Sequence, residues 1–176
     1  KIVDEQGKVV PRGQLGELCV RGYSVMLGYW EDHEKSQEVI DSARWMHTGD
    51  IAEMDEAGFV KIKGRIKDVV IRGGENLFPK EIEDFLYTHP DVSDVQVIGL
   101  PDARYGEELC ACIILHEHHE ITEESIRQYC AEHISHNKVP RYVRFFNEFP
   151  MTASGKAQKF KLQEFMHNEL DLKEIA

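Results

Sequence analysis

The sequence is short of positive charge and has no long apolar run. It carries 21 lysines and arginines against 32 aspartates and glutamates, which gives a formal net charge of −11 at pH 7. Nucleic-acid-binding domains usually present a basic face, so this balance predicts no nucleic-acid partner. It argues equally against binding to an anionic membrane surface. A bilayer span needs roughly 20 apolar residues, and no stretch approaches that length, so no transmembrane segment is predicted.

Cysteine is also scarce, and its spacing suggests no bridge. None of the four cysteines lies in a Cys-x-x-Cys motif, which favours reduced thiols inside the cell over a disulfide framework. Cys110 and Cys112 are two residues apart on a predicted strand, so both are expected to pack on the same face of it.

Three histidines follow in the acidic segment 115–120, which is predicted to be an exposed hairpin turn. The chain shows no ligand set at structural zinc spacing, so no metal site is predicted.

The chain begins at Lys1 without an initiator methionine and shows no targeting signature. It is therefore expected to be the C-terminal piece of a longer protein, whose localisation signals would lie upstream.

The stretch 64–83 organises the rest of the chain. It passes from Gly64-Arg65 through Lys67-Asp68 into a β-branched run, turns through Gly73-Gly74, and opens a helix at Pro79. Only glycine enters positive-φ conformations freely and lets another molecule approach its backbone closely. A charged step followed by two glycines therefore predicts a hinge and then a ligand-facing loop.

The segment 45–65 predicts a hairpin that carries functional side chains at its open end. Two short strands flank a turn at 55–58 that contains glycine, a pattern typical of β-hairpins. Folding at this turn brings Asp50 and Arg65 to the same end. A carboxylate can accept hydrogen bonds from the vicinal hydroxyls of a ribose, and a guanidinium can donate to a ribose oxygen or a phosphate. The alternative is a surface ion pair, worth under about 1 kcal/mol.

The remainder of the chain predicts a separate small α+β domain. Proline at the start of the first helix is favourable because its missing N–H would be unpaired there. The segment 109–115 is apolar on both faces, which indicates a central strand. The expected elements are a strand at 69–71, a helix from Pro79 ended by Pro90, strands at 92–100 and 109–115, a helix behind Thr122, a strand at 143–146 and a terminal helix around 162–170.

Four motifs, in this order, resemble those of the adenylate-forming superfamily, which includes acyl-CoA synthetases, luciferases and peptide-synthetase adenylation domains. They are the glycine-punctuated segment 16–29, to which no chemistry is assigned, Thr48-Gly49-Asp50, the stretch 64–83, and the segment 150–156 with its Ser-Gly-Lys. The resemblance is greatest to the fatty acyl-CoA synthetase branch. It implies an α+β fold in which residues 1–65 end a large N-terminal AMP-binding domain, in a β-barrel-like subdomain. Residues 66–176 would then be the small mobile C-terminal domain.

The resemblance implies roles around the nucleotide and the hinge. Asp50 would hold the ribose hydroxyls of ATP and of the acyl-adenylate, and Arg65 would contact the same nucleotide. Lys67 occupies the position about which the C-terminal domain of the family swings. A hinge needs a residue that tolerates two backbone states, so a solvated linker lysine is compatible with that role.

The resemblance also implies two roles in the C-terminal domain. Gly73 and Gly74 would line the path of the CoA pantetheine arm, where a side chain would block the thiol. Lys156 would be the catalytic residue, entering the active site during adenylation to contact the substrate carboxylate and the α-phosphate. A cation at that place stabilises charge that develops at phosphorus, and a lysine on its long stem suits a residue that must arrive and leave.

The function implied is the ATP-dependent ligation of a fatty acid to CoA. The variant of the motif found in this sequence resembles that of enzymes acting on acids of medium chain length. The co-substrates would be Mg-ATP and CoA, with the metal ligands outside this sequence. The family's phosphate loop, adenine pocket and acyl pocket have no counterpart here, so the chain alone is expected to be inactive and to need a missing N-terminal domain.

Two alternatives stay open. One is adenylation of another carboxylate with transfer to a carrier protein, and the other is a non-catalytic interaction domain of the same fold. Intact Asp50, Arg65 and Lys156 argue against the second, because packing needs none of them. A mitochondrial location is compatible with the resemblance. The exact acid, its chain length, the organelle and the oligomeric state stay open.

Overall fold

The computed structural model describes residues 1–171, and the chain divides into two compact units. The first unit is Lys1–Lys67, and the second begins at Asp68. Each unit has its own sheet and its own buried apolar residues. The last residues of the predicted domain 66–176, namely 172–176, lie outside the described part. Among the residues described, no helix is both long and apolar enough to cross a bilayer.

The first unit is built on an antiparallel sheet. Its elements are β1 Ile2–Val3, β2 Gly16–Val20, α1 His33–Val39, β3 Met46–Met54 and β4 Val60–Arg65. The four strands pair in the order of the sequence. Helix α1 has no buried residue, and the predicted hairpin of the segment 45–65 is confirmed as β3 and β4.

The second unit is built on a mixed sheet of five strands. Its elements are β5 Val70–Arg72, β6 Glu75–Leu77, α2 Pro79–Leu86, β7 Val92–Asp102, β8 Gly106–Leu115, α3 Glu123–His133, β9 Tyr142–Phe145 and α4 Lys159–Glu169. Strand β8 is central: it pairs antiparallel with β7 along its length, meets β5 at Gly106, and pairs in parallel with β9. The predicted α+β class is confirmed.

Both faces of β8 are buried, as its unbroken apolar pattern predicts. Leu109, Ala111 and Ile113 face a core that α2 and α3 cover, while Cys110 and Cys112 face a second core that α4 covers. The two cysteines therefore share one face, as predicted. The hydrogen bond to the Cys112 thiol, together with burial, raises the pKa of Cys110, so the Cys110 thiol is an inert packing group.

Helix α2 ends earlier than the sequence predicted. The helix stops at Leu86, so the prediction that Pro90 itself ends it is wrong. The Thr88 hydroxyl donates to the Phe85 carbonyl over 2.7 Å, and local side-chain bonds of this kind compete with continued helix. A proline also disfavours helical backbone at the residue before it. Together these effects end the helix before the proline is reached.

Two further predictions are corrected. The Gly73-Gly74 loop does not lead directly into the helix, because the short strand β6 intervenes and pairs antiparallel with β5. The segment 115–120 is not a hairpin turn, because it connects β8 to α3. The chain after it cannot return as a strand, since Thr122 caps the helix with its side chain and Ser125 reciprocates.

Candidate functional site

The open end of the β3–β4 hairpin brings Asp50 and Arg65 together. The two residues are direct partners across the strands, and Arg65 Nε lies 3.2 Å from Asp50 Oδ1. The Asp50 side chain is 23% exposed, and the Arg65 side chain is 54% exposed. A carboxylate and a guanidinium side by side can accept from and donate to the hydroxyls of one bound sugar. The geometry expected from the hairpin is therefore present.

A bulge in β3 sets the direction of Asp50. The register of β2 against β3 shifts at this point, and Gly49 takes a φ of +71°, a left-handed conformation that favours glycine. Thr48 Oγ1 donates to the Leu18 carbonyl over 2.8 Å and accepts the Asp50 N–H over 3.1 Å. The threonine hydroxyl thus ties the bulge to the neighbouring strand and holds the backbone that carries the aspartate.

Lys67 lies where the two units meet along the chain. It is the last residue of the first unit and sits in a one-turn 3₁₀ segment, Ile66–Asp68. Short 3₁₀ segments often serve as connectors and hinges. The local structure therefore suits the position that the sequence assigned to a hinge.

The turn between β5 and β6 presents two successive glycines with positive φ, +59° at Gly73 and +85° at Gly74. The Gly73 N–H donates to the Tyr105 carbonyl over 2.8 Å, and a Cβ on Gly73 would lie 3.3 Å from Tyr105 Cδ1. A Cβ on Gly74 would meet nothing within 4 Å. Gly73 is thus fixed by packing, while Gly74 borders open space that a ligand can approach.

A buried ion pair supports this glycine turn. Arg72 Nε donates to Glu108 Oε2 over 2.8 Å, and the Glu108 side chain is only 1% exposed. The Arg72 guanidinium lies 4.7 Å from the centre of the Tyr105 ring, which also packs against Gly73. The hydrogen bond that Arg72 donates to Glu108 raises the pKa of Arg72. Glu108 is not among the residues predicted from the sequence, although a glutamate that opens an apolar central strand is a signal of a paired buried charge.

Lys156 lies on an exposed turn between β9 and α4, in the order predicted. Met151 and Ala157 form an isolated antiparallel bridge that closes the turn. Within it, the Thr152 N–H donates to the Lys156 carbonyl over 2.8 Å, and Thr152 Oγ1 accepts the Lys156 N–H over 3.0 Å. The backbone of the turn is therefore well defined, while its lysine side chain is exposed.

The structure thus brings two of the predicted site residues together and distributes the rest. Asp50 and Arg65 form one pair in the first unit. The glycine pair and Lys156 lie on two separate turns of the second unit.

Solved structures of related enzymes share this architecture. The chain matches the anthranilate CoA ligase AuaEII in complex with anthranoyl-AMP with a TM-score of 0.88 and 36% identity, over 98% of this chain and 34% of that one. It matches ATP-bound MatB from Rhodopseudomonas palustris with a TM-score of 0.86 and 35% identity, over 96% of this chain and 34% of that one. The fold is that of the C-terminal part of adenylate-forming enzymes.

Family models agree with the structural matches. Residues 81–156 match the AMP-binding enzyme C-terminal domain, and residues 1–30 match the AMP-binding enzyme model. The chain belongs to this AMP-binding, adenylate-forming family. It is 54% identical over 168 residues to the mitochondrial medium-chain acyl-CoA ligase ACSF2 of Bos taurus, and 52% identical over 168 residues to that of Homo sapiens. Each match covers 96% of this chain but 27% of the relative's length.

Proposed function

We propose that this chain is part of an ATP-dependent acid–CoA ligase. Within a longer polypeptide, it takes part in activating a medium-chain fatty acid as acyl-AMP and passing the acyl group to CoA. The observation that carries the proposal is the Asp50–Arg65 pair, held by the Thr48 bulge at the open end of a hairpin. The identity to proteins named medium-chain acyl-CoA ligases supports the substrate class, and their names support a mitochondrial location.

The proposal assigns the two parts of the chain to two domains. Residues 1–65 are the end of the large AMP-binding domain, and residues 66–176 are the mobile C-terminal domain. Lys67 in its 3₁₀ connector is the hinge between them. One C-terminal domain then supplies two faces in turn, so that its rotation is part of the catalytic cycle.

Two steps follow from this arrangement. The fatty acid carboxylate attacks the α-phosphorus of Mg-ATP, and the bond to pyrophosphate breaks, while Asp50 and Arg65 hold the ribose and Lys156 stabilises the developing charge. After rotation, the CoA thiolate passes Gly74 and attacks the acyl carbon. A carbon–sulfur bond forms, the bond to the phosphate oxygen breaks, and AMP leaves.

A substitution at Asp50 separates the proposed ribose contact from a plain surface ion pair. In the longer polypeptide, Asp50→Ala is expected to raise the KM for ATP about tenfold or more, because hydrogen bonds to a charged group contribute roughly 1.5–3 kcal/mol. The free energy of unfolding is expected to change by under about 1 kcal/mol. Steady-state kinetics and urea unfolding measure the two effects.

The matched control lies on the same hairpin. Glu53 pairs with Lys63 over 2.9 Å across β3 and β4, so Glu53→Ala removes an equivalent ion pair without touching the proposed nucleotide contact. It should leave the KM for ATP unchanged. An unchanged KM in Asp50→Ala as well would contradict the ribose-binding role.

The acceptor distinguishes the ligase from its nearest alternative. With a medium-chain fatty acid and Mg-ATP, the longer polypeptide is expected to form a thioester with CoA. A phosphopantetheine-bearing carrier protein offered in place of CoA should receive no acyl group. Transfer to the carrier alone would favour the carrier-loading alternative.

The 176-residue chain by itself is expected to turn over nothing. Its sequence contains no Ser/Thr/Gly-rich phosphate loop of the kind the family uses, so ATP would lack its main phosphate contacts. The purified chain, incubated with fatty acid, Mg-ATP and CoA, should yield neither AMP nor acyl-CoA, while the longer polypeptide assayed in parallel yields both. Any acyl-CoA formed by the purified chain alone would refute this expectation.

Replacing Gly74 by alanine is expected to slow thioester formation selectively. The added methyl group meets no protein atom within 4 Å, so its steric effect falls on the passing pantetheine arm. In the longer polypeptide, the rate from supplied acyl-AMP and CoA should fall about tenfold or more, while ATP–pyrophosphate exchange is retained.

The control for Gly74 must reproduce its backbone strain. Gly7 has a φ of +76° and equally open surroundings. Gly7→Ala therefore introduces the same strain of a left-handed backbone as Gly74→Ala, about 1 to 2 kcal/mol. If Gly7→Ala slows thioester formation as much as Gly74→Ala does, strain and not access explains the loss.

A further inference from the structure

We propose that Glu17, Cys19 and His47 form a binding site for a zinc-like divalent transition-metal ion. Glu17 and Cys19 are two residues apart on β2, and Cys19 is paired with His47 on β3. One ligand atom from each of the three side chains lies within 4.8 Å of the others. The site goes beyond the proposed ligase function, because no step of that chemistry uses these side chains.

The separation of sulfur and nitrogen matches tetrahedral coordination. Cys19 Sγ lies 3.5 Å from His47 Nδ1. A zinc ion with a sulfur at 2.3 Å and a nitrogen at about 2.0 Å in tetrahedral geometry would separate these two atoms by about 3.5 Å. The thiol and the imidazole therefore need almost no rearrangement to bind one ion together.

Glu17 supplies the third ligand after a small movement. Its Oε2 lies 2.6 Å from His47 Nδ1 in a direct hydrogen bond, so the ion would take the place of the shared proton and part the two atoms by less than about 1 Å. The other carboxylate oxygen, Oε1, accepts the Gly49 N–H over 3.1 Å. An outer hydrogen bond of this kind is typical of metal-binding carboxylates, because it fixes their orientation.

The burial of the three side chains differs in a way that suits an ion. Cys19 is fully buried, whereas the side chains of His47 and Glu17 are 32% and 21% exposed. The ion can enter from the imidazole side and rest against a thiolate shielded from water. Three protein ligands leave a fourth position for a water molecule.

The donor set selects the class of metal. A thiolate, an imidazole and a carboxylate suit zinc, cobalt and similar ions, whereas magnesium prefers oxygen donors alone. Binding displaces the thiol proton, and a neutral imidazole that ligates through Nδ1 keeps its own proton on Nε2. The site is thus chemically separate from the magnesium that accompanies ATP.

An ion here would cross-link β2 to β3 next to the bulge that carries Asp50. His47 is followed directly by Thr48 and Gly49, and Gly49 already bonds to the Glu17 carboxylate. Occupation therefore holds the bulge from a second point.

Cobalt titration of the metal-free 176-residue chain tests the site. The chain is stripped with a chelator and titrated with Co²⁺, whose thiolate charge-transfer absorption reports sulfur ligation. We expect one equivalent per chain with that absorption, displacement by Zn²⁺, and no competition by Mg²⁺. Cys19→Ser should abolish the charge-transfer band, and His47→Gln should weaken binding about tenfold or more.

Two controls isolate these ligands from other thiols and histidines. Cys130→Ser removes a buried thiol of the second unit, and His33→Gln removes an exposed histidine of α1; both should bind Co²⁺ as the unsubstituted chain does. If circular dichroism shows that Cys19→Ser does not fold, the His47→Gln variant decides the test, because His47 is partly exposed. Absence of a charge-transfer band in the unsubstituted chain, or equal affinity of His47→Gln and His33→Gln, would overturn the proposal. Ligase activity enters neither outcome, so the proposed function and the metal site can fail separately.

Discussion

Replacing Lys156 by alanine in the longer polypeptide is expected to lower the rate of adenylation about 10²–10³-fold and to leave thioester formation intact. The lysine is assigned to the charge that develops at the α-phosphorus, and removal of one such stabilising group typically has this effect. Its exposed position on a turn with a defined backbone allows it to approach a substrate and withdraw. ATP–pyrophosphate exchange measures the first step, and acyl transfer from supplied acyl-AMP to CoA measures the second.

The outcome of this pair of assays decides between three accounts. Loss of exchange with survival of transfer supports a domain that alternates between two faces. Equal loss of both activities would mean that the residue is structural or that the domain does not alternate, and loss of neither would mean that the lysine is wrongly assigned. Lys161 is an exposed lysine five residues along on α4, and Lys161→Ala should retain both activities.

Replacing Glu108 by alanine is expected to lower the free energy of unfolding by about 3–5 kcal/mol. The change removes the partner of Arg72, whose side chain is 17% exposed, and so leaves a largely buried charge uncompensated. A second cation, Arg141, also approaches Glu108, with Nη1 at 4.0 Å from Oε1. Urea unfolding of the 176-residue chain, followed by circular dichroism, measures the loss.

Two comparisons show whether burial is the cause. Glu124 is 77% exposed and pairs with Arg127 over 2.8 Å, so Glu124→Ala should change the free energy of unfolding by under about 1 kcal/mol. The double variant Arg72→Met, Glu108→Leu removes both charges and should recover much of the stability. A Glu108→Ala loss no larger than that of Glu124→Ala would contradict the importance of the buried pair.

The parts of the structure that the sequence predicted are those encoded by local patterns. The β3–β4 hairpin follows from strand alternation around a glycine turn, which brings Asp50 and Arg65 to the same end, whereas their direct pairing also depends on a register shift between Ile51 and Ala52. The central strand β8 follows from an apolar run with no polar face. The start of α2 follows from Pro79, whose preference for the first helical position is local. Roles in chemistry came from the resemblance of motifs, and these stay predictions.

The parts that could not be predicted depend on partners distant in the chain. Arg72 meets Glu108 across 36 positions, and His47 meets Glu17 across 30. No periodic pattern in the sequence reveals either pair, because both pairs depend on the register between strands. The pair of His47 and Glu17 depends in addition on a register shift within the sheet. Strand β6 was missed for a different reason, since three residues between a turn and a proline are too few to show alternation.

Strand β9 has a consequence for how loss-of-function variants should be interpreted. It pairs with β8 along Cys110–Ile113 and thereby covers the side of that strand opposite β7. A premature stop or a proteolytic cut between α3 and β9 would leave an apolar edge with unpaired backbone groups, and such edges template aggregation. A truncated chain of this kind would lose Lys156 and would also precipitate or be degraded. Its phenotype would report a misfolded protein, whereas only the point substitution isolates the contribution of the lysine.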